Sequence, residues 1–273
     1  MVAVSDYDLI ALDLDGTLLD SHEQISPRNR SAVSKALLAG VRVVLVTGRG
    51  AETPVRISHE LGLNVPVICA HGALTKDFLS GKVLGHIPVP LRYAVPMLEY
   101  AERHDLSAAV YTDETFYRIA GSRIFMADMT GPHWAEVAHF ADVLASAPTF
   151  IRFLGGDSVR AIRAEFGELP LAFKHESWGT FEELAVTSLD ATKDRALAQL
   201  CATYGIPAKR VLAIGDSRND VAMLQWSGMG IAMANALPEV LAAIPTHTGT
   251  NDEDGVADAI ERYVLSSDAR KSA

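Results

Sequence analysis

Only two cysteines, Cys69 and Cys201, occur in 273 residues. They lie far apart among apolar neighbours, with no CxxC spacing and no histidine cluster nearby. That excludes a disulfide-stapled scaffold and a zinc site, and predicts two small buried hydrophobes in a reducing compartment. Basic residues are also in deficit: 24 Lys and Arg face 34 Asp and Glu, a formal charge of -10. Holding a polyanion requires clustered cations, so nucleic acid is not an expected partner. No stretch approaches the roughly 18 uninterrupted apolar residues of a membrane helix, and Met1 to Asp8 lacks the basic start and apolar run of an export signal. The expectation is a soluble, cytoplasmic chain without membrane contact. Repeats, low-complexity tracts and charge blocks are absent, and only the tail after Ser266 is expected to fray.

Apolar residues, 49% of the chain, suffice for a substantial core, and the length accommodates two domains. Leu9-Ile10-Ala11-Leu12 is a short continuous apolar run ending in turn residues, the pattern of a parallel strand buried on both faces. Ser26 as N-cap, Pro27 at the first helical position and Gly40 as stop frame a helix, with Val33, Leu37 and Leu38 on its apolar side. Val43 to Val46 repeats the buried-strand pattern and ends at Thr47-Gly48-Arg49. Thr53 and Pro54 open a second helix closing near Gly62, and Val65 to Ile68 supplies a third strand. This alternation predicts a doubly wound α/β sheet.

From about Leu84 the pattern loosens. Ala108 to Ala120 reads as two strands around Asp113-Glu114. Pro132 to Leu144 and Ser158 to Phe166 read as helices; Phe150 to Leu154, Ala172 to His175 and Glu183 to Val186 read as strands. Pro96 is expected to begin or kink a helix, since it removes a backbone donor. After about Thr187 the α/β texture returns, with a helix from Ala191 to Tyr204 and a buried run, Val211 to Ile214, ending at Gly215-Asp216. Residues 84–187 therefore read as an α+β insertion into a core formed by 1–83 and 188–273.

Asp13 and Asp15, in Asp13-Leu14-Asp15-Gly16-Thr17, are separated by one residue and so project to the same side of an extended segment. They follow the carboxyl end of a strand, where open parallel sheets bind ligands. Gly215-Asp216-Ser217-Arg218-Asn219-Asp220 follows another buried run, and if the two strands are neighbours, three or four carboxylates meet in one crevice. Two like charges about 4 Å apart repel by roughly 4 kcal/mol at an effective dielectric near 20. Such a cluster needs protons or a cation, and oxygen-only ligands favour a hard ion such as Mg2+, which keeps waters and a phosphate oxygen.

The ordered set of Asp-x-Asp-Gly-Thr, a strand ending in Thr47-Gly48, Lys193 opening a helix, and Gly215-Asp216-x-x-Asn219-Asp220 resembles the four motifs of the haloacid dehalogenase-like (HAD) phosphatase superfamily. The long insertion between the second motif and the lysine resembles the cap of its Cof-like sugar-phosphatase branch. The motifs cover roughly residues 6–83 and 188–265. The resemblance implies a Rossmann-like core with an inserted α+β cap, and a Mg2+-dependent phosphomonoesterase acting on small phosphorylated metabolites, sugar phosphates foremost. Asp13 would attack phosphorus and become an aspartyl-phosphate; Asp15 would protonate the leaving alkoxide and then activate water. Thr47 would bond a phosphoryl oxygen and Lys193 would balance charge on Asp13 and the transferring group, with loss of either lowering rate more than stability. Asp216 would bind the metal with an Asp13 oxygen and the Asp15 carbonyl, and Asp220 would be a further metal partner. Gly48, Arg49 and Asn219 would line the phosphate and substrate.

His71 stands where Cof-like relatives usually carry asparagine, a departure from the pattern, and reads as a turn residue. Trp134, Trp178 and Trp226 read as packing residues. A cap hinged near Leu84–Pro88 and Thr187–Asp190 is expected to close over the core and to carry specificity, because the motif residues engage only phosphate, metal or the bridging oxygen. A phosphomutase using the same intermediate is the alternative enzyme. A dehalogenase has no need of the acid Asp15, and a transport ATPase requires membrane helices. A non-catalytic metabolite-sensing module is the alternative outside enzymes, opposed by the presence of both Asp13 and Asp15.

Overall fold

The computed structural model describes residues 5–112, 114–121, 133–178 and 180–266. It divides into two compact units: the chain up to Gly85 together with that from Thr192 onward, and the segment His86–Ala191. The first unit opens with β1 (Leu9–Leu12), α1 (Pro27–Leu38), β2 (Arg42–Leu45), α2 (Glu52–Glu60), β3 (Val67–Cys69) and the strands β4 (Leu74–Asp77) and β5 (Lys82–His86). Ser26 caps α1 by accepting from Asn29 N at 3.0 Å, with Pro27 at the first helical position. The buried face of α1 is Asn29, Ala32, Val33 and Ala36, while Leu38 is exposed. The i, i+3, i+4, i+7 stripe thus starts at Asn29, and Leu38 falls off it, correcting the predicted apolar side.

The second unit runs α3 (Leu91–Arg103), β6 (Ala108–Thr112), β7 (Thr115–Ile119), β8 (Trp134–Val137), β9 (Phe150–Leu154), α4 (Gly156–Phe166), β10 (Leu171–Trp178) and β11 (Phe181–Ser188). Its six strands form one sheet in the order β10-β11-β9-β6-β7-β8. Ala108, Val110, Ile151, Phe153, Leu184 and Val186 from this sheet share a core with Ala94, Met97, Leu98 and Ala101 of α3 and Val159 and Ile162 of α4. One expectation fails here. Residues 134–137 form a strand rather than a helix, followed by a 3-10 turn at Phe140–Val143; Pro132 lies outside the described residues. The strand wins because it pairs in parallel with β7, which stacks Trp134 on Phe116 with ring centroids 4.6 Å apart. Of the two alternatives for Pro96, it does not begin the helix but lies inside α3. The buried face of that helix offsets the roughly 3 kcal/mol that an interior proline costs.

The chain returns to the first unit through α5 (Lys193–Tyr204), β12 (Val211–Gly215), α6 (Val221–Trp226), β13 (Met229–Ala232), α7 (Pro238–Ala243) and α8 (Gly255–Ile260). The central sheet has the order β13-β12-β1-β2, all parallel, and β3 joins through a parallel bridge between Val46 and Ile68. Every residue of β1 is fully buried, as are Val43 to Leu45 and Val211 to Ile214. This is why these strands carry unbroken apolar runs rather than alternation. Cys69 and Cys201 are free and buried. The register places Leu12 between Leu45 and Ile214, so the loops after β1, β2 and β12 open at the same end of the sheet. No helix among the described residues is long and apolar enough to cross a membrane.

Candidate active site

The sheet register brings Asp13 beside the Gly215-Asp216 turn, as Asp13 N donates to Ile214 O at 3.1 Å. The chain leaves extended geometry directly after β1. The two carboxylates differ in burial: Asp13 is buried at 4% exposure, whereas the Asp15 side chain is 51% exposed. Gly16 makes the turn possible. Its φ is +72°, and a Cβ there would lie 2.4 Å from Asp216 Oδ2. The loop beyond is held from the C-terminal part of the chain, by Asn235 Nδ2 to Gly16 O at 2.8 Å, Asn251 Nδ2 to Leu19 O at 2.9 Å, and Ser21 N to Asp252 Oδ1 at 2.8 Å.

Lys193 begins α5 and is itself only 2% exposed. Its Nζ donates to Asp13 Oδ1 at 2.6 Å and to Asp220 Oδ1 at 2.7 Å. The other oxygen of Asp220 accepts from Asp216 N at 3.2 Å and Ser217 N at 3.0 Å, and the Ser217 hydroxyl oxygen lies 3.1 Å from it. Asp220 is therefore fully engaged as the brace of the β12 loop. Asp216 stands more open, with Thr17 Oγ1 donating to its Oδ1 at 3.0 Å. Thr17 and Ser217 were quoted in the motifs without roles; a hydroxyl next to a carboxylate cluster was the available signal.

Carboxylate oxygens of Asp13, Asp216 and Asp220 lie within 4.8 Å of one another. Burial, then repulsion from Asp220, raises the Asp13 pKa well above the carboxylate range despite Lys193. Burial and Asp220 push Asp216 up to about 6, against the Thr17 hydroxyl. Burial opposes the charge on Lys193, but Asp13 and Asp220 outweigh it and hold the ammonium firmly protonated. Three carboxylates against one lysine leave an excess of negative charge that a divalent cation would neutralise. The donor set is all oxygen, which fits a hard ion. With Asp220 occupied, Asp13 and Asp216 are the carboxylates available to it. The Asp15 carboxylate lies outside this cluster.

Thr47 is fully buried, and its Oγ1 accepts from Arg49 N at 3.1 Å. Arg49 does not face the cluster: its guanidinium grips Asp15 through Nε and Nη2, at 2.9 Å for Nε to Oδ2, and reaches Glu23 at 2.9 Å. Burial is outweighed by Asp15 and Glu23, which raise the Arg49 pKa further. Asn219 Nδ2 lies 3.3 Å from His71 Nδ1, and the His71 ring sits over Gly48, where a Cβ would come within 2.5 Å of Cε1. The predicted residues of three loops and one helix start are thus brought to one end of the sheet. Glu23, which the sequence did not single out, and His71, which reads there as a turn residue, join Thr17 and Ser217 in this group.

The profile of the haloacid dehalogenase-like hydrolases matches residues 10–260. Phosphatase YwpJ of Bacillus subtilis (strain 168) is 30% identical over 91% of this chain and 97% of its own length. The same organism's 5-amino-6-(5-phospho-D-ribitylamino)uracil phosphatase YcsE is 31% identical, covering 95% of this chain and 97% of the relative. A haloacid dehalogenase-like hydrolase from Bacteroides thetaiotaomicron superposes with a TM-score of 0.82 at 29% identity, over 94% of this chain and 99% of that one. With an α/β core of this topology and a profile match spanning nearly its whole length, the chain belongs to the haloacid dehalogenase-like hydrolases, as a phosphatase of their Cof-like branch.

Proposed function

We propose that the protein is a magnesium-dependent phosphomonoesterase that hydrolyses small phosphorylated metabolites, sugar phosphates foremost, through a phosphorylated Asp13. One observation carries this reading: a buried Asp13 held by Lys193 at 2.6 Å, within a cluster of carboxylates at the ends of adjacent parallel strands. An Asp13 oxygen attacks phosphorus, the bond to the ester oxygen breaks, and Asp15 supplies the proton that the departing alkoxide takes up. Asp15 then takes a proton from the water that attacks the phosphoryl group, which returns Asp13 and releases inorganic phosphate. Lys193 balances charge on Asp13, while Thr47 and the second amide hydrogen of Asn219 bond phosphoryl oxygens. Asp13, Asp216 and the Asp15 carbonyl would hold the magnesium ion, with Asp220 bracing the loop, and the ion would supply the positive charge that lets a phosphate dianion approach these carboxylates.

In the resting arrangement Arg49 occupies Asp15. Arrival of a phosphate gives Arg49 an anionic partner and frees the Asp15 carboxylate to take up from solvent the proton that it then donates to the leaving oxygen, which assigns Arg49 to the substrate side, next to Gly48. The inserted unit governs which ester is accepted, since every core residue above engages phosphate, metal or the bridging oxygen. The buried free thiols suit a reducing, cytoplasmic setting. The substrate named for the 31% identical relative makes phosphorylated ribityl compounds a second class to test. A phosphate-release screen over sugar phosphates, ribityl phosphates, nucleotides and pyridoxal phosphate, with magnesium and with chelator, tests the reading. Release that is abolished by chelator and by Asp13→Asn supports it; equal release from Asp13→Asn and the parent removes it. Return of the phosphoryl group to sugar without free phosphate identifies a mutase instead.

A further inference from the structure

We propose that His71 is a positioning residue of the phosphate site, acting through Asn219 to fix which end of that amide meets the phosphoryl group. The inference rests on the reading of Asp13 and Asn219 given above. Ala70 and His71 both adopt left-handed backbone, with φ of 50° and 57°, although neither is glycine, asparagine or aspartate. Two such residues in succession are costly and persist only where the surroundings impose them. Here Ala70 N bonds Arg49 O at 2.8 Å and His71 N bonds Thr47 O at 3.0 Å, so the strained turn is fastened to the loop after β2. Gly72 completes it at φ +97°, where a Cβ would come within 2.3 Å of the Thr192 carbonyl, next to Lys193.

This backbone buries the imidazole to 5% exposure and lays it on Gly48. Gly48 is glycine for the ring above it, since its own φ is not among the positive values. Nδ1 then faces Asn219 Nδ2 at 3.3 Å. Asn219 Oδ1 accepts from Ser217 Oγ at 3.0 Å, so the nitrogen end is the one turned to histidine. In this pairing Nδ1 serves as the acceptor of the Asn219 amide. The same Ser217 hydroxyl lies 3.1 Å from Asp220, which Lys193 links to Asp13. A continuous set of contacts thus runs from His71 to the nucleophile. With its orientation fixed at both ends, Asn219 keeps one N–H for an anion. An Asn219 free to flip would present its carbonyl oxygen, which repels a phosphoryl group.

The test compares parent, His71→Leu, His71→Asn, Asn219→Ala and the His71→Leu/Asn219→Ala double variant, with inorganic phosphate as competitive inhibitor of ester hydrolysis. Leucine fills the space over Gly48 but cannot accept a hydrogen bond. His71→Leu should raise both KM and the phosphate inhibition constant about tenfold, the size expected for one hydrogen bond to an anion-binding group. His71→Asn, which restores an acceptor, should stay within about threefold of the parent, and the double variant should bind phosphate no more weakly than Asn219→Ala alone. Phosphate inhibition unchanged in His71→Leu, or effects of the two single variants that multiply, would overturn the proposal. If His71→Leu does not fold, His71→Ala is read in its place by the same criteria. Asp13→Asn separates the two levels: turnover in that variant removes the active-site reading and this inference with it. An inert Asp13→Asn beside a parent-like His71→Leu removes only the inference.

Discussion

Replacing Lys193 with methionine removes the one cation between two buried carboxylates and leaves a side chain of similar length. Asp13 is 4% exposed and Asp220 fully buried, so neither regains water when its partner is lost. Breaking a buried pair by removing one partner costs about 3–5 kcal/mol. For a unit of this size, each kcal/mol lowers the melting temperature by about 2–4 °C, so a drop of roughly 10 °C is expected. In the variant, Asp13, whose pKa burial and Asp220 already raise and which loses the lowering effect of Lys193, holds its proton more tightly folded than unfolded, so stability is retained at low pH and lost as pH rises. The deficit against the parent should therefore be larger at pH 7.5 than at pH 5. Adding Asp220→Asn, which keeps an oxygen for Asp216 N and Ser217 N, should recover part of the loss. Thermal and urea unfolding in chelator measure all three. A Lys193→Met protein melting within about 2 °C of the parent at pH 7.5 would refute the argument.

Asp216 offers a second pH test. A carboxyl moved from 3.8 to about 6 by burial and Asp220 stabilises the metal-free fold below pH 4, by up to about 3 kcal/mol, and that contribution disappears as pH rises through 6. The stability difference between parent and Asp216→Asn in chelator should fall across this window; a flat difference contradicts the shift. Gly16→Ala should lose about 1–2 kcal/mol from its left-handed backbone and also lower activity by displacing Asp216. Unchanged melting and turnover would contradict the close approach.

Much of the core was legible because its strands are buried on both faces: unbroken runs such as Leu9 to Leu12 and Val211 to Ile214 have few other readings. The site loops were legible because acidic residues directly follow those runs. What failed did so through tertiary effects. Trp134 to Val137 became a strand because a neighbouring edge and the Phe116 ring were available. The unequal burial of Asp13 and Asp15 depends on the turn at Gly16, which a two-residue alternation does not describe. His71 escaped because its role depends on two left-handed residues and on Gly48 and Asn219, which are distant in the chain.

The central claim is that the phosphoryl group passes through Asp13 with Asp15 as proton carrier. Acid-quenched Asp15→Asn protein, mixed with p-nitrophenyl phosphate, whose leaving group needs no proton, tests it by peptide mass spectrometry. The account predicts a phosphoryl group accumulating on the peptide containing Asp13 and absent when Asp13→Asn is added. Steady phosphate release from Asp15→Asn without any phosphorylated peptide, or a label on another residue, would contradict it.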